Sequence, residues 1–168
     1  MAFASRTCLM TFLLLPFLAT ATGCRTPCIQ GQTDVATLRV LASGSHCGHD
    51  EPTPRVRIAD TSAGLERLLS ETGLGLVGSP PDPARERFIL VHQGLQPTLG
   101  YHLELAGDHA RLEGETMVIR VIRHEPPPDA ITAQALSSPC LLLGMERTQD
   151  RPVRVEDQDG NPMHAPSK

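Results

Sequence analysis

The sequence predicts a β-rich α+β fold, a single small domain of mostly antiparallel strands with one short helix. Three observations lead there. Phe88–Gln93 and Leu141–Met145 are compact apolar runs of strand length, and Thr116–Arg123 is rich in β-branched residues. Tyr101–Leu105 alternates, with Tyr101, Leu103 and Leu105 on one side and His102 and Glu104 on the other, the period of a half-buried strand. Helical spacing of apolar residues is confined to about Ala63–Glu71, where Leu65, Leu68 and Leu69 share a face.

Taken in order, Val35–Ala42 is apolar enough for a first strand. Ser43–Pro54 is a turn-rich loop carrying His46, Cys47 and His49, and Val56–Ala59 is a short strand. Thr61 or Ser62 can cap the helix, because a hydroxyl accepts from the free amides of its first turn. Gly73–Pro83 breaks regular structure. Phe88–Gln93 follows as a strand and Gly94–Thr98 as a turn, and Gly107-Asp108 connects the next strands. Pro126-Pro127-Pro128 cannot continue a ladder, because proline has no amide hydrogen to donate. From Thr148 the chain turns polar and reads as a loose tail, with Val153 and Val155 able to add an edge strand.

The N-terminus reads as an export signal. Arg6 precedes an apolar run from Cys8 to Ala19, and small residues lead through Ala19-Thr20-Ala21-Thr22-Gly23 to Cys24. The run is short for a span, which needs about 20 apolar residues. Ala21-Thr22-Gly23-Cys24 resembles the lipobox of bacterial lipoproteins, which implies cleavage before Cys24 and lipidation of that cysteine. An ordinary secretory cut after Ala21 is the alternative. Acyl chains stabilise by about 0.8 kcal/mol per buried CH₂, so two or more hold a protein at a membrane where one holds marginally. Arg25 follows the cysteine, where the lipoprotein family's inner-membrane retention signal is an aspartate, so the resemblance implies the periplasmic face of the outer membrane. The expected organisation is a signal at 1–23, a tether at 24–34, a globular domain at 35–147 and a polar tail at 148–168.

Composition narrows the function. The chain is mildly acidic at −4, and a nucleic-acid footprint wants a basic surface, so no nucleic-acid partner is expected. Past the signal the aromatic residues are Phe88 and Tyr101, too few to stack bases or sugars. Lys168 is the only lysine, which excludes a P-loop lysine, a Schiff-base lysine and a Ser-x-x-Lys pair. In an oxidising compartment one disulfide is expected. Cys47–Cys140 is the favoured pair, because Cys28 lies in the polar tether, and two separate buried thiols are the alternative. A bridge closing a loop of about 90 residues stabilises by roughly 4–5 kcal/mol in the chain-entropy account.

Several motifs look chemical and fail on context. Gly73-Leu74-Gly75-Leu76-Val77-Gly78 spells a dinucleotide fingerprint, but a helix precedes it and Ser79-Pro80-Pro81 follows, so no helix N-terminus meets a pyrophosphate. His46, Cys47, His49, Asp50 and Glu51 are metal-capable, but no second spaced pair accompanies them, so neither metal nor cofactor is expected. His124-Glu125 runs into three prolines and cannot form the zinc-protease helix motif. No G-x-S-x-G elbow is present, and the chain is expected not to be an enzyme.

Pro97-Thr98-Leu99-Gly100-Tyr101 is the sharpest local signal. Proline fixes φ, threonine can hydrogen-bond locally, and glycine allows a backbone that other residues resist. The segment is either a hairpin turn pinned by a tyrosine or a shaped loop offered to a partner. Together with Phe88–Gly94, Met117–Arg123, Pro126-Pro127 and Gln134-Ala135-Leu136-Ser137-Ser138-Pro139-Cys140, it resembles the C-terminal domain of the protease complex subunit PrcB family. Leu99 stands where that family's pattern has its first glycine, and Cys140 where it has a tyrosine. The resemblance implies a lipoprotein that assembles with or supports a surface protease complex. Pro97, Thr98, Leu99, Gly100 and Tyr101 are the candidate partner contacts, because a rigid turn costs little entropy when it docks and tyrosine is a common anchor at interfaces. The same turn also resembles a loop of chagasin-type cysteine protease inhibitors. Gln96 replaces that family's asparagine, and the absence of tryptophan leaves its Arg-Pro-Trp loop without a counterpart.

Overall fold

The structure, a computed structural model, describes residues 35–148 and 150–163. The signal, Cys24, Cys28 and the tether lie outside the described residues. Among the described residues nine strands and one helix follow in the order β1 (Val35–Gly44), β2 (Arg55–Ala59), α1 (Ser62–Thr72), β3 (Glu86–His92), β4 (His102–Leu105), β5 (His109–Glu113), β6 (Thr116–His124), β7 (Cys140–Glu146), β8 (Val153–Glu156) and β9 (Pro162–Met163). They form one sheet in the order β2-β3-β7-β1-β5-β6-β8-β9, with β4 also paired to β6. All pairs are antiparallel except β6 with β8.

The sheet curls in a barrel-like way around one core and carries α1 on its other face. β3 and β7 explain the two unbroken apolar runs, since strands covered on both faces need no polar alternate residues. Ile89 and Val91 of β3 join Leu141, Leu143 and Met145 of β7, Ile119 and Leu103 in the larger core. Their alternates Phe88, Leu90 and Leu142 face Leu65 and Leu68 of α1. In β1 the register shifts between Val40 and Ala42. Ahead of this bulge Ala36 and Leu38 belong to the larger core; past it Leu41 and Ala42 belong to the helix-side core. A bulge bends and twists its strand, so one strand serves both layers.

The helix is stopped at both ends by local chemistry. Thr61 Oγ1 accepts from the Gly64 amide at 3.1 Å, and Gly73, at φ 67°, donates its amide to Leu69 O at 2.8 Å. The left-handed residue closing the helix is thus the first glycine of the apparent dinucleotide fingerprint.

Two segments differ from the sequence reading. β5 was hidden because its one fully inward side chain is the small Ala110, among charged alternates. The domain also continues past 147. β8 lies parallel to β6 in the register Met117↔Val153 to Arg120↔Glu156, and Val155 and Met163 are buried in the larger core. The segment reads as polar because charged residues alternate with its apolar ones and pair with each other, such as half-buried Arg154 Nε with buried Glu156 at 2.8 Å. The boundary at 147 and the polar tail at 148–168 are therefore corrected: residues 153–163 are part of the fold.

Candidate interaction surface

Three loops are lashed together beside the starts of β4 and β7. The Cys47 amide donates to Ser138 O and the Ser138 amide to Ser45 O, which joins the 45–54 loop to the segment before β7. His49 N donates to Ser138 Oγ at 2.9 Å. The Cys47–Cys140 disulfide lies beneath, with Cα atoms 6.0 Å apart across 93 residues of sequence, and both cysteines are buried. Cysteine at 140 thus serves as a covalent tie where the PrcB pattern has a tyrosine.

The Pro97–Tyr101 turn is held by the long 125–139 loop. Gln96 and Ser137 exchange both backbone hydrogen bonds, at 2.8 and 3.0 Å. Ser137 Oγ donates to Thr98 O at 2.7 Å, and the Leu99 amide donates to Ala133 O at 3.2 Å. Gly100 sits at φ +100°, a conformation that favours glycine, and a Cβ there would press on Pro126 Cβ at 3.1 Å. No non-glycine residue among those described has positive φ. Leu99 therefore occupies the family's first glycine position without backbone strain.

The five candidate contacts divide by exposure. Pro97 and Gly100 are exposed; Thr98, Leu99 and Tyr101 are half-buried. Sequence reasoning missed the facing loop as part of the site. There Ile131 and Leu136 stand in solvent, at 105% and 62% exposure. The only acidic groups between residues 125 and 137 are Glu125 and Asp129. The signal available was two large aliphatic residues in a proline- and alanine-rich segment with no periodicity to bury them. Large aliphatic side chains held outward on pinned backbone are what a protein partner can cover.

Beside the 45–54 loop lies a polar cleft lined by His49, His92, Arg55, Arg57 and Glu71. Arg57 pairs with Glu71. His49 Nε2 lies 2.9 Å from Thr53 O, and the two imidazole centroids are 5.0 Å apart. Burial pushes the His92 pKa down to about 4, helped by the electrostatic influence of His49, Arg57 and Arg55 and opposed by Glu71. A base with a depressed folded-state pKa binds fewer protons folded than unfolded, so its contribution is complete above its unfolded value and is lost on acidification. Between pH 6.5 and about 4 the fold is expected to lose about 3 kcal/mol through His92. Urea unfolding as a function of pH checks this: His92→Gln flattens that part of the profile, and an unchanged profile would reject the assignment.

Among known families, residues 87–146 match the model described as PrcB C-terminal, and the match supports a PrcB family C-terminal domain in this segment. It opens in β3, closes at the end of β7, and contains both the Pro97–Tyr101 turn and the 125–139 loop. No curated protein matches, and no solved structure does.

Proposed function

We propose that this chain is a non-catalytic binding and assembly module of a bacterial envelope, lipid-anchored through Cys24, and that its partner docks on the Pro97–Tyr101 turn and the 125–139 loop. The observation that carries the reading is the combination of pinned backbone and unburied aliphatic side chains. The turn is fixed by hydrogen bonds from Leu99 and Ser137, while Ile131 and Leu136 remain in solvent. Preordered loops lose little entropy on docking, and that cost otherwise subtracts from affinity. The family match over this same segment makes a protease-complex component the first partner to seek.

Replacing Ile131 and Leu136 together by aspartate is the test. Both side chains are exposed, so the unfolding free energy from a urea titration stays within about 0.5 kcal/mol of wild type. Co-purification of the envelope partner from crosslinked cells drops at least about tenfold, the equivalent of 1.4 kcal/mol. Undiminished recovery would place the docking surface elsewhere. The anchor is checked separately: a fatty-acid analogue labels the wild-type chain, and Cys24→Ser abolishes the label.

A further inference from the structure

On the face of the sheet that carries α1, the polar cleft of about 330 Å³ lies against the end of the helix, and three parts of the chain build it. Arg55 and Arg57 are two apart on β2 and so share a face, and the register sets Arg55 directly opposite His92 of β3. Glu71 and Thr72 wall the cleft from the last turn of α1, and Gly48 and His49 wall it from the 45–54 loop. His92 is 4% exposed, and its Nδ1 is enclosed without a hydrogen-bond partner. An enclosed N–H without a partner costs more than a bare lone pair, so the neutral ring keeps its proton on Nε2.

We propose that this cleft binds a small oxyanion, a carboxylate or a phosphate, between the Arg55 guanidinium and the Nε2–H of His92. Arg57 is engaged by Glu71, whereas Arg55 has no ion-pair partner among the described residues. Two guanidiniums against one carboxylate leave the cleft positive with both imidazoles neutral. His92 senses that field. Next to burial, the electrostatic influence of His49, Arg57 and Arg55 outweighs Glu71 in keeping a proton off the ring, and a field that repels a proton attracts an anion. The last carbonyls of α1 carry partial negative charge, which puts the ligand on the Arg55–His92 side of the cleft, away from Glu71. A guanidinium meets an oxyanion with paired N–H donors, and a neutral imidazole adds one more. The site uses no residue of the Pro97–Tyr101 turn or the 125–139 loop, so it stands independently of the docking reading.

The test titrates the full chain with sodium phosphate and, separately, with sodium acetate, at constant pH and ionic strength, and follows the histidine ring signals by NMR. The His92 signal, identified by its loss in His92→Gln, is expected to move along a saturable curve with at least one of the two anions. The anion that saturates it at the lower concentration names the class. Arg55→Gln should weaken binding at least about tenfold, in line with the loss of one charge-assisted hydrogen bond. Circular dichroism of that variant should match wild type, because Arg55 is exposed. Arg111→Gln, exposed on β5, should leave binding unchanged. A His92 signal that neither anion moves, or that sodium chloride moves equally, overturns the proposal. So does binding that survives Arg55→Gln undiminished or is lost in Arg111→Gln.

Discussion

Replacing Cys47 and Cys140 together by serine lowers the unfolding free energy by about 4–5 kcal/mol, the loss expected when a covalent loop of about 90 residues is opened in the denatured chain. The bridge spans 93 residues and joins the 45–54 loop to the first residue of β7. Both cysteines are buried beside Leu41, Phe88 and Leu142 in the helix-side core. The same loop supports the segment before β7 through the Cys47 and His49 amides. Loss of the bridge therefore loosens the ground on which the docking loops rest. Denaturant unfolding of wild type against the double variant measures the effect, and an unchanged midpoint would contradict it. A native domain has only about 5–15 kcal/mol in total, so the bridge accounts for a large fraction of it.

Gly94→Ala is expected to cost about 2–6 kcal/mol, combining backbone strain and overpacking. Gly94 has φ +93°, and a Cβ there would meet Pro52 O at 2.3 Å and Pro52 C at 2.7 Å. These obstacles are backbone atoms of the 45–54 loop, so no side-chain rotation relieves the contact. The loop is itself tied to this strand end by the Leu95 amide donating to Glu51 O. Gly75→Ala is the matched control, because nothing lies within 4 Å of its Cβ position and its φ is not positive. Thermal unfolding should separate the two variants clearly. Equal melting temperatures would mean that the 45–54 loop does not press on Gly94 in solution.

Much of the fold was legible in the sequence where burial is two-sided. Phe88–Val91 and Leu141–Leu143 read as strands because both faces are apolar, and Thr61, Leu65 and Leu68 gave the helix its start and its face. β5 and β8 were harder to see, because each offers little inward apolar mass and surrounds it with ion-paired arginine and glutamate. β9 is two residues long, and only its place beside Val155 makes Met163 a core residue. The Pro97–Tyr101 turn announced itself through proline and glycine. Its facing loop did not, because hydrogen bonds from Ser137 to Thr98 and from Leu99 to Ala133 depend on tertiary placement. Arg55 and His92 lie far apart in sequence, and only the strand register sets them opposite each other.

The central claim is that the turn and its facing loop are where a partner docks. The most direct measurement places a photo-crosslinking residue at Leu136 in the full chain in living cells, with a second chain labelled at Glu115 as the control. Glu115 is exposed in the turn between β5 and β6, away from the docking loops. The account predicts a single discrete envelope adduct from Leu136, a protease-complex component among the candidates for its identity, and none from Glu115. Equal crosslinking from both positions, or none from Leu136, would contradict it.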